Sequence, residues 1–146
     1  MIVISDTNII VSALISPNGA VANILNSKRK FKIIALDFLL DEIDKHFDKI
    51  LINSILTERK ELKALISYYK EKITFIPIDE IPQKDRLNAY KLVNDIDIDD
   101  LPFVALSIHK KCLLWTSDIK LINGLKKKGF TKVITTSELK KFIYKK

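Results

Sequence analysis

Two stretches of this chain repeat one pattern, and the pattern leaves few folds open. Met1-Ile2-Val3-Ile4-Ser5 is an uncharged, β-branched run that stops at Asp6-Thr7-Asn8. It passes into Ile9-Ile10-Val11 and Ala13-Leu14-Ile15 at helical spacing. Cys112-Leu113-Leu114-Trp115 likewise stops at Thr116-Ser117-Asp118, and a helix over residues 120–127 follows, closed by Gly129. Short apolar runs of this kind read as strands buried on both faces. Strands that alternate with helices build a mainly parallel sheet covered on both sides. An acid at the carboxyl end of such a strand lies where open α/β sheets keep their ligand sites. Capping alone also accounts for an Asp there, since Asp is a favoured N-cap. Asp6 therefore needs partners before it becomes a site.

The rest of the chain continues the alternation. The first strand spans residues 2–5 and its helix 8–15. Ser16-Pro17-Asn18-Gly19 is a turn by its chemistry. A short helix over 20–26 and a strand over 31–36 follow. Asp37 is expected to cap a helix reaching residue 49, with Leu39, Leu40, Ile43 and Phe47 on its apolar face. A long helix is expected over 57–72. The strand over 73–78 contains Pro77, which suits an edge. Helices over 83–93 and 101–110 come next, and Pro102 fits only the first turn of the second. A strand over 132–135 and a helix over 137–144 close the chain. No internal repeat or low-complexity linker divides it, so residues 1–146 are read as one domain.

Composition narrows the function classes. With 47% hydrophobic residues a substantial core is available, and disorder is excluded. Cys112 is the only cysteine, so there is no disulfide framework, which fits a reducing compartment. No apolar run has the length of a membrane span, and the start lacks the basic and long apolar stretches of a signal peptide. A soluble cytoplasmic protein is expected. Lys plus Arg is 25 against 18 Asp plus Glu, a formal charge of +7. The basic residues gather at Lys28-Arg29-Lys30, at Lys126-Lys127-Lys128 and in the tail over 140–146, while acids gather at Asp95, Asp97, Asp99 and Asp100. A basic surface around an acidic patch suits a polyanion outside and cations inside. A plainly solvated lysine face is the other reading.

Asp6 and Asp118 share one context, the end of an apolar strand before a helix. In a parallel sheet both face the same crevice. Asp100 stands at the amino end of the helix leading to the strand of Trp115, which opens on the same edge. Glu42 precedes Ile43, and at about 100° per residue it flanks the apolar stripe of its helix. Asp41 points further away. Two bare carboxylates about 4 Å apart repel by about 4 kcal/mol at an effective dielectric of 20. A crevice holding three or four therefore needs protons, a lysine or a metal. Oxygen donors without histidine or thiol favour Mg²⁺ or Mn²⁺ over zinc. His46 and His109 have no partner at metal-ligand spacing and read as ordinary helix residues. Cys112 reads as strand core. Asp99 reads first as a helix cap.

Rival motifs fail on specific residues. A calcium loop counted from Asp95 needs Gly and Glu where Asp100 and Leu106 stand. Haloacid-dehalogenase-like phosphotransferases look for a second Asp two residues after the first, where Asn8 stands. The three glycines, Gly19, Gly124 and Gly129, form no phosphate-binding loop.

With its four acids in order, the chain resembles the PIN-domain ribonucleases along nearly its whole length. The resemblance is carried by Ile4-Ser5-Asp6-Thr7-Asn8 through Leu14, by Leu39-Leu40-Asp41-Glu42-Ile43, by Asp97-Ile98-Asp99-Asp100-Leu101-Pro102-Phe103 through Leu106, and by Leu114-Trp115-Thr116-Ser117-Asp118. It implies a three-layer α/β/α sandwich on a sheet of about five strands. It also implies an acidic Mg²⁺ or Mn²⁺ site and single-stranded RNA as substrate. Asp6, Asp100 and Asp118 would hold the ions, with Glu42 completing the shell or orienting water. Asp99 is the weaker candidate, because Asp100 fits the family spacing better. Thr7, Asn8 and Thr116 would hold ligands or substrate. Many such proteins are toxins with a small antitoxin partner, and homodimers are common, with the helix over 57–72 a candidate contact. A non-catalytic RNA-binding module and a metal-dependent phosphomonoesterase are the competing readings.

Overall fold

The computed structural model describes residues 1–27 and 31–144. The Lys28-Arg29-Lys30 cluster and the last two lysines of the tail lie outside the described residues. Five parallel strands form one sheet in the order β3-β2-β1-β4-β5. They are β1 (Ile2–Ser5), β2 (Lys32–Leu36), β3 (Ile73–Ile76), β4 (Leu113–Trp115) and β5 (Val133–Ile134). The described helices are α1 (Thr7–Ile15), α2 (Ala20–Leu25), α3 (Phe38–Lys45), α4 (Phe47–Asn53), α5 (Arg59–Lys72), α6 (Gln83–Val93), α7 (Leu101–Lys110), α8 (Ile119–Lys127) and α9 (Thr136–Ile143).

The period of two along each strand sends alternate side chains into two cores. Val3, Ile33, Ala35, Trp115 and Ile134 enter the first, beneath α1 to α5 and α9. Ile4, Ile34, Leu36, Leu114 and Val133 enter the second, beneath α6 to α8. This is the expected three-layer sandwich, and it explains why the strands read as continuous apolar runs. β3 is an edge strand with Pro77 just beyond it, where a missing N–H costs no ladder bond.

The chain runs outward from β1 through β2 to β3 and then returns to the other side of β1 as β4. That reversal opens a crevice at the carboxyl ends of β1 and β4. Ser5 pairs with Trp115 at this edge, so the two strand ends reach it in register.

Several boundaries differ from expectation. The helix expected over 37–49 is two helices, α3 and α4, parted at His46 (φ −106°, ψ 17°). Its apolar pattern continues across the break, so periodicity does not reveal it. Asp37 has helical dihedrals and makes no side-chain cap bond. The long helix begins at Arg59, where Glu61 Oε1 accepts the Glu58 N–H at 3.2 Å. Cys112 precedes β4 rather than joining it. It is half-buried, with its Sγ against the Lys110 carbonyl at 3.2 Å.

Candidate active site

Each strand-end acid is fixed by the helix it starts. Asp6 Oδ1 accepts the Ile9 N–H at 2.9 Å, and Asp118 Oδ1 accepts the Leu121 N–H at 3.1 Å. The capping reading is therefore correct for both, and it does not compete with a site. Capping spends one oxygen of each carboxylate and pins the other beside the crevice. Thr116 links the pair. Its hydroxyl bonds the Asp6 carboxylate, and its Oγ1 accepts the Asp118 N–H at 3.2 Å.

Asp6, Glu42, Asp100 and Asp118 line one cavity of about 640 Å³, together with Thr7 and Asn8. Four carboxylates spread along the chain thus converge at the carboxyl edge of the sheet. Glu42 reaches it from α3, held by the Thr7 hydroxyl, which donates to Glu42 Oε1 at 3.0 Å. Asp100 occupies the N-cap position of α7 without a side-chain cap bond. Its Oδ2 is buried and has no hydrogen-bond partner. The cap expected of Asp99 is absent. Asp97 instead accepts the Asp99 N–H at 3.0 Å, closing a single 3₁₀ turn over Ile98–Asp100. Both Asp97 and Asp99 line the cavity, and Asp99 is exposed. Thr116 is fully buried and stands behind the acids rather than on the wall.

The electrostatics follow from this crowding. Among the described residues that line the cavity there is no Lys, Arg or His. Burial pushes the Asp6 carboxyl above the usual range, against the bonds from Thr116 and Ile9, and the charge of Asp118 pushes it further. Asp100 is pushed up to about 7, first by burial and then by Asp97, Asp118, Asp6 and Asp99. The site is a concentration of negative charge without a compensating cation of its own. Oxygen-only donors and an orphaned buried carboxylate oxygen fit a hard divalent cation. Among the described residues, no three His, Cys, Asp or Glu side chains stand close enough to enclose an ion by themselves. Water would therefore complete the shell.

Sequence reasoning overlooked the apolar part of the lining. Phe38, Ile98, Pro102 and Phe103 line the same cavity. The rings of Phe38 and Phe103 lie 5.7 Å apart at 49°. The available signal was spacing, since Phe38 is one turn before Glu42 on the same helix face.

The two histidines lie elsewhere. His46 sits at the α3–α4 break, not inside a helix. His109, in α7, faces two carboxylates, with Nε2 3.5 Å from Glu80 and Nδ1 3.4 Å from Asp85. The acid Asp95 pairs with Lys128 on the surface.

Comparison with known proteins agrees with this architecture. The crystal structure of VapBC2 from Rickettsia felis bound to a DNA fragment from their promoter contains a chain of similar fold. Its TM-score is 0.59 at 18% identity, covering 92% of this chain and 97% of that one. No curated protein matches by sequence. No helix among the described residues is long and apolar enough to cross a membrane. The model of the PIN domain matches residues 3–139, which takes in all four acids, and the chain belongs to the PIN-domain family.

Proposed function

We propose that this protein is a divalent-metal-dependent endoribonuclease that hydrolyses phosphodiester bonds of single-stranded RNA. The observation that carries the reading is the convergence of Asp6, Glu42, Asp100 and Asp118 on one open cavity that lacks a lining cation. Such a cavity is electrostatically costly empty and suited to Mg²⁺ or Mn²⁺. Asp6, Asp100 and Asp118 would hold the ion directly or through water. Bound there, a divalent ion lowers the pKa of water and offsets charge on the phosphoryl oxygens. Glu42 Oε1 is engaged by Thr7, which leaves Oε2 to orient an attacking water and accept its proton. The water oxygen bonds to phosphorus as the phosphorus–oxygen bond to the leaving nucleotide breaks. Thr7 and Asn8, on the rim, offer hydrogen bonds to the substrate, and Thr116 keeps the two strand-end acids aligned.

The likeness to a chain of the Rickettsia felis VapBC2 complex supports a further role, as the toxin of a toxin–antitoxin pair with a small antitoxin protein. A homodimer through the exposed face of α5 belongs to the same reading, as does a cytoplasmic location.

The test is one assay on labelled single-stranded RNA, with and without Mg²⁺ or Mn²⁺, comparing wild type with Asp6→Asn. Cleavage that needs both the ion and Asp6 supports the assignment. Metal-independent cleavage, or full activity in Asp6→Asn, overturns it. Release of inorganic phosphate from small esters without RNA cleavage would make the protein a phosphomonoesterase.

A further inference from the structure

The four acids account for only part of the cavity they share. A divalent ion with six waters fills about 180 Å³, at about 30 Å³ per water. The cavity measures about 640 Å³. The remaining space has the size and the partly apolar lining of a pocket for an organic group. Phe38, Ile98, Pro102 and Phe103 supply that lining. Phe103 is nearly buried and backs Phe38, which is half-buried.

Ile98 is the telling residue. It is 49% exposed and belongs to neither core. A lone exposed isoleucine needs no explanation. This one stands between Asp97 and Asp99 in the turn that leads to Asp100, and it lines the acid cavity together with Phe38. The acids around it repel a second phosphate. A nucleobase is uncharged at neutral pH and presents a flat π face to apolar and aromatic side chains. Proteins recognise single-stranded RNA by such stacking and by hydrogen bonds along the base edges.

The polar neighbours of Ile98 on the turn offer acceptors for such an edge. Asp97 and Asp99 are exposed and line the cavity. One Asp97 oxygen accepts the Asp99 N–H at 3.0 Å. The Asp99 carboxylate has no hydrogen-bond partner among the described residues. An ionised carboxylate only accepts. Guanine presents a ring N–H and an amine side by side, a pair that one carboxylate takes together. Uracil presents a single N–H between two carbonyls, which the acids disfavour.

We propose that the Phe38–Ile98 lining is a nucleobase subsite beside the scissile phosphate, and that Asp99 makes it prefer guanine. This inference rests on the ribonuclease reading.

The test sequences the product ends of a random single-stranded RNA pool cut in Mg²⁺ by wild type, Ile98→Ala, Asp99→Asn and Leu87→Ala. Leu87 is similarly exposed, at 54%, but lies on α6 outside the cavity and serves as the control. Wild type should enrich guanine several-fold over uracil at one position next to the cut, and Asp99→Asn should lower that enrichment. On a fixed guanine-containing substrate, Ile98→Ala should raise KM several-fold and change kcat less, while Leu87→Ala should match wild type. Calorimetry on the wild type in Mg²⁺ should find guanosine monophosphate bound several-fold more tightly than uridine monophosphate. Inosine monophosphate, which lacks the amine, should fall between them. If wild type cuts RNA without this base preference, or if Ile98→Ala behaves like Leu87→Ala, the subsite is overturned while the ribonuclease reading stands. Equal binding of the guanosine and uridine nucleotides overturns it as well. If wild type cuts no RNA at all, both readings fall.

Discussion

The Thr7 hydroxyl donates to Glu42 Oε1 across 35 positions of sequence, at 3.0 Å. This bond joins the first turn of α1 to α3 and fixes the one site acid that does not start or precede its own helix. Thr7→Val removes the donor and keeps the shape. Cleavage should fall about 10-fold, less than the roughly 100-fold or more expected for losing a general base outright, because Glu42 stays and only its positioning bond is lost, while Thr7→Ser should keep most of the activity. Parallel melting curves would check that the fold is unchanged.

Under the proposed function Asp6 does two jobs, and two substitutions separate them. Asn keeps an oxygen for the Ile9 N–H, whereas Ala keeps none. Asp6→Asn should lose at least about 100-fold in cleavage with no loss of stability. Asp6→Ala should lose similar activity and also about 1 kcal/mol of stability through the missing cap. Denaturant titration of the two variants at neutral pH measures the difference.

Asp100 should make stability depend on pH in an unusual direction for a carboxylate. Its folded value of about 7 lies above the ordinary 3.8. Between those values the native protein holds the proton more tightly than the unfolded chain. The contribution of Asp100 to stability is therefore fully present below about 4 and is lost as pH rises through about 7. The half-open position limits the loss to about 1–2 kcal/mol. Asp100→Asn should flatten this slope. Mg²⁺ should raise the melting temperature more at pH 8 than at pH 5, because the ion and the proton offset the same charge. A Mg²⁺ shift independent of pH would contradict the crowded-carboxylate account.

Gly124 lies in α8, where a Cβ would come within 2.4 Å of Ile96 Cδ1 and 2.9 Å of its Cγ1. Ala at this position gains up to about 1 kcal/mol of helix propensity but must displace Ile96, which leads into the Asp97–Asp100 turn. Overpacking of this kind costs about 1–3 kcal/mol. Gly124→Ala should therefore be neutral to destabilising alone and stabilising in an Ile96→Ala background. A double-mutant cycle checks the sign of the coupling.

The parallel sheet, its covering layers and the meeting of the acids were legible because they rest on periodicity and on alternation of strand with helix, whereas the strand order β3-β2-β1-β4-β5 was not. Runs such as Ile2–Ser5 admit little besides a buried strand, and parallel pairing brings their ends to one edge. What stayed hidden was local geometry. His46 parts two helices without any change in the apolar pattern, because Phe47 and Ile50 continue to face the core. Asp97, rather than Asp99, makes the cap bond at the turn, because a short 3₁₀ turn shifts the position by two residues. The Phe38–Phe103 wall was missed because an aromatic residue at helical spacing reads as core. Both rings are packed there while they also border the cavity.

Because Asp6 and Asp118 each hold a helix by its first turn, the proposed reactive centre and the scaffold draw on the same two side chains. Variation at these positions is filtered twice. A descendant that abandons the chemistry is free to shed the charge but not the oxygen that anchors the backbone amide. Extinct centres of this design should therefore carry Asn, Ser or Thr at the two positions, and Ala or Val seldom.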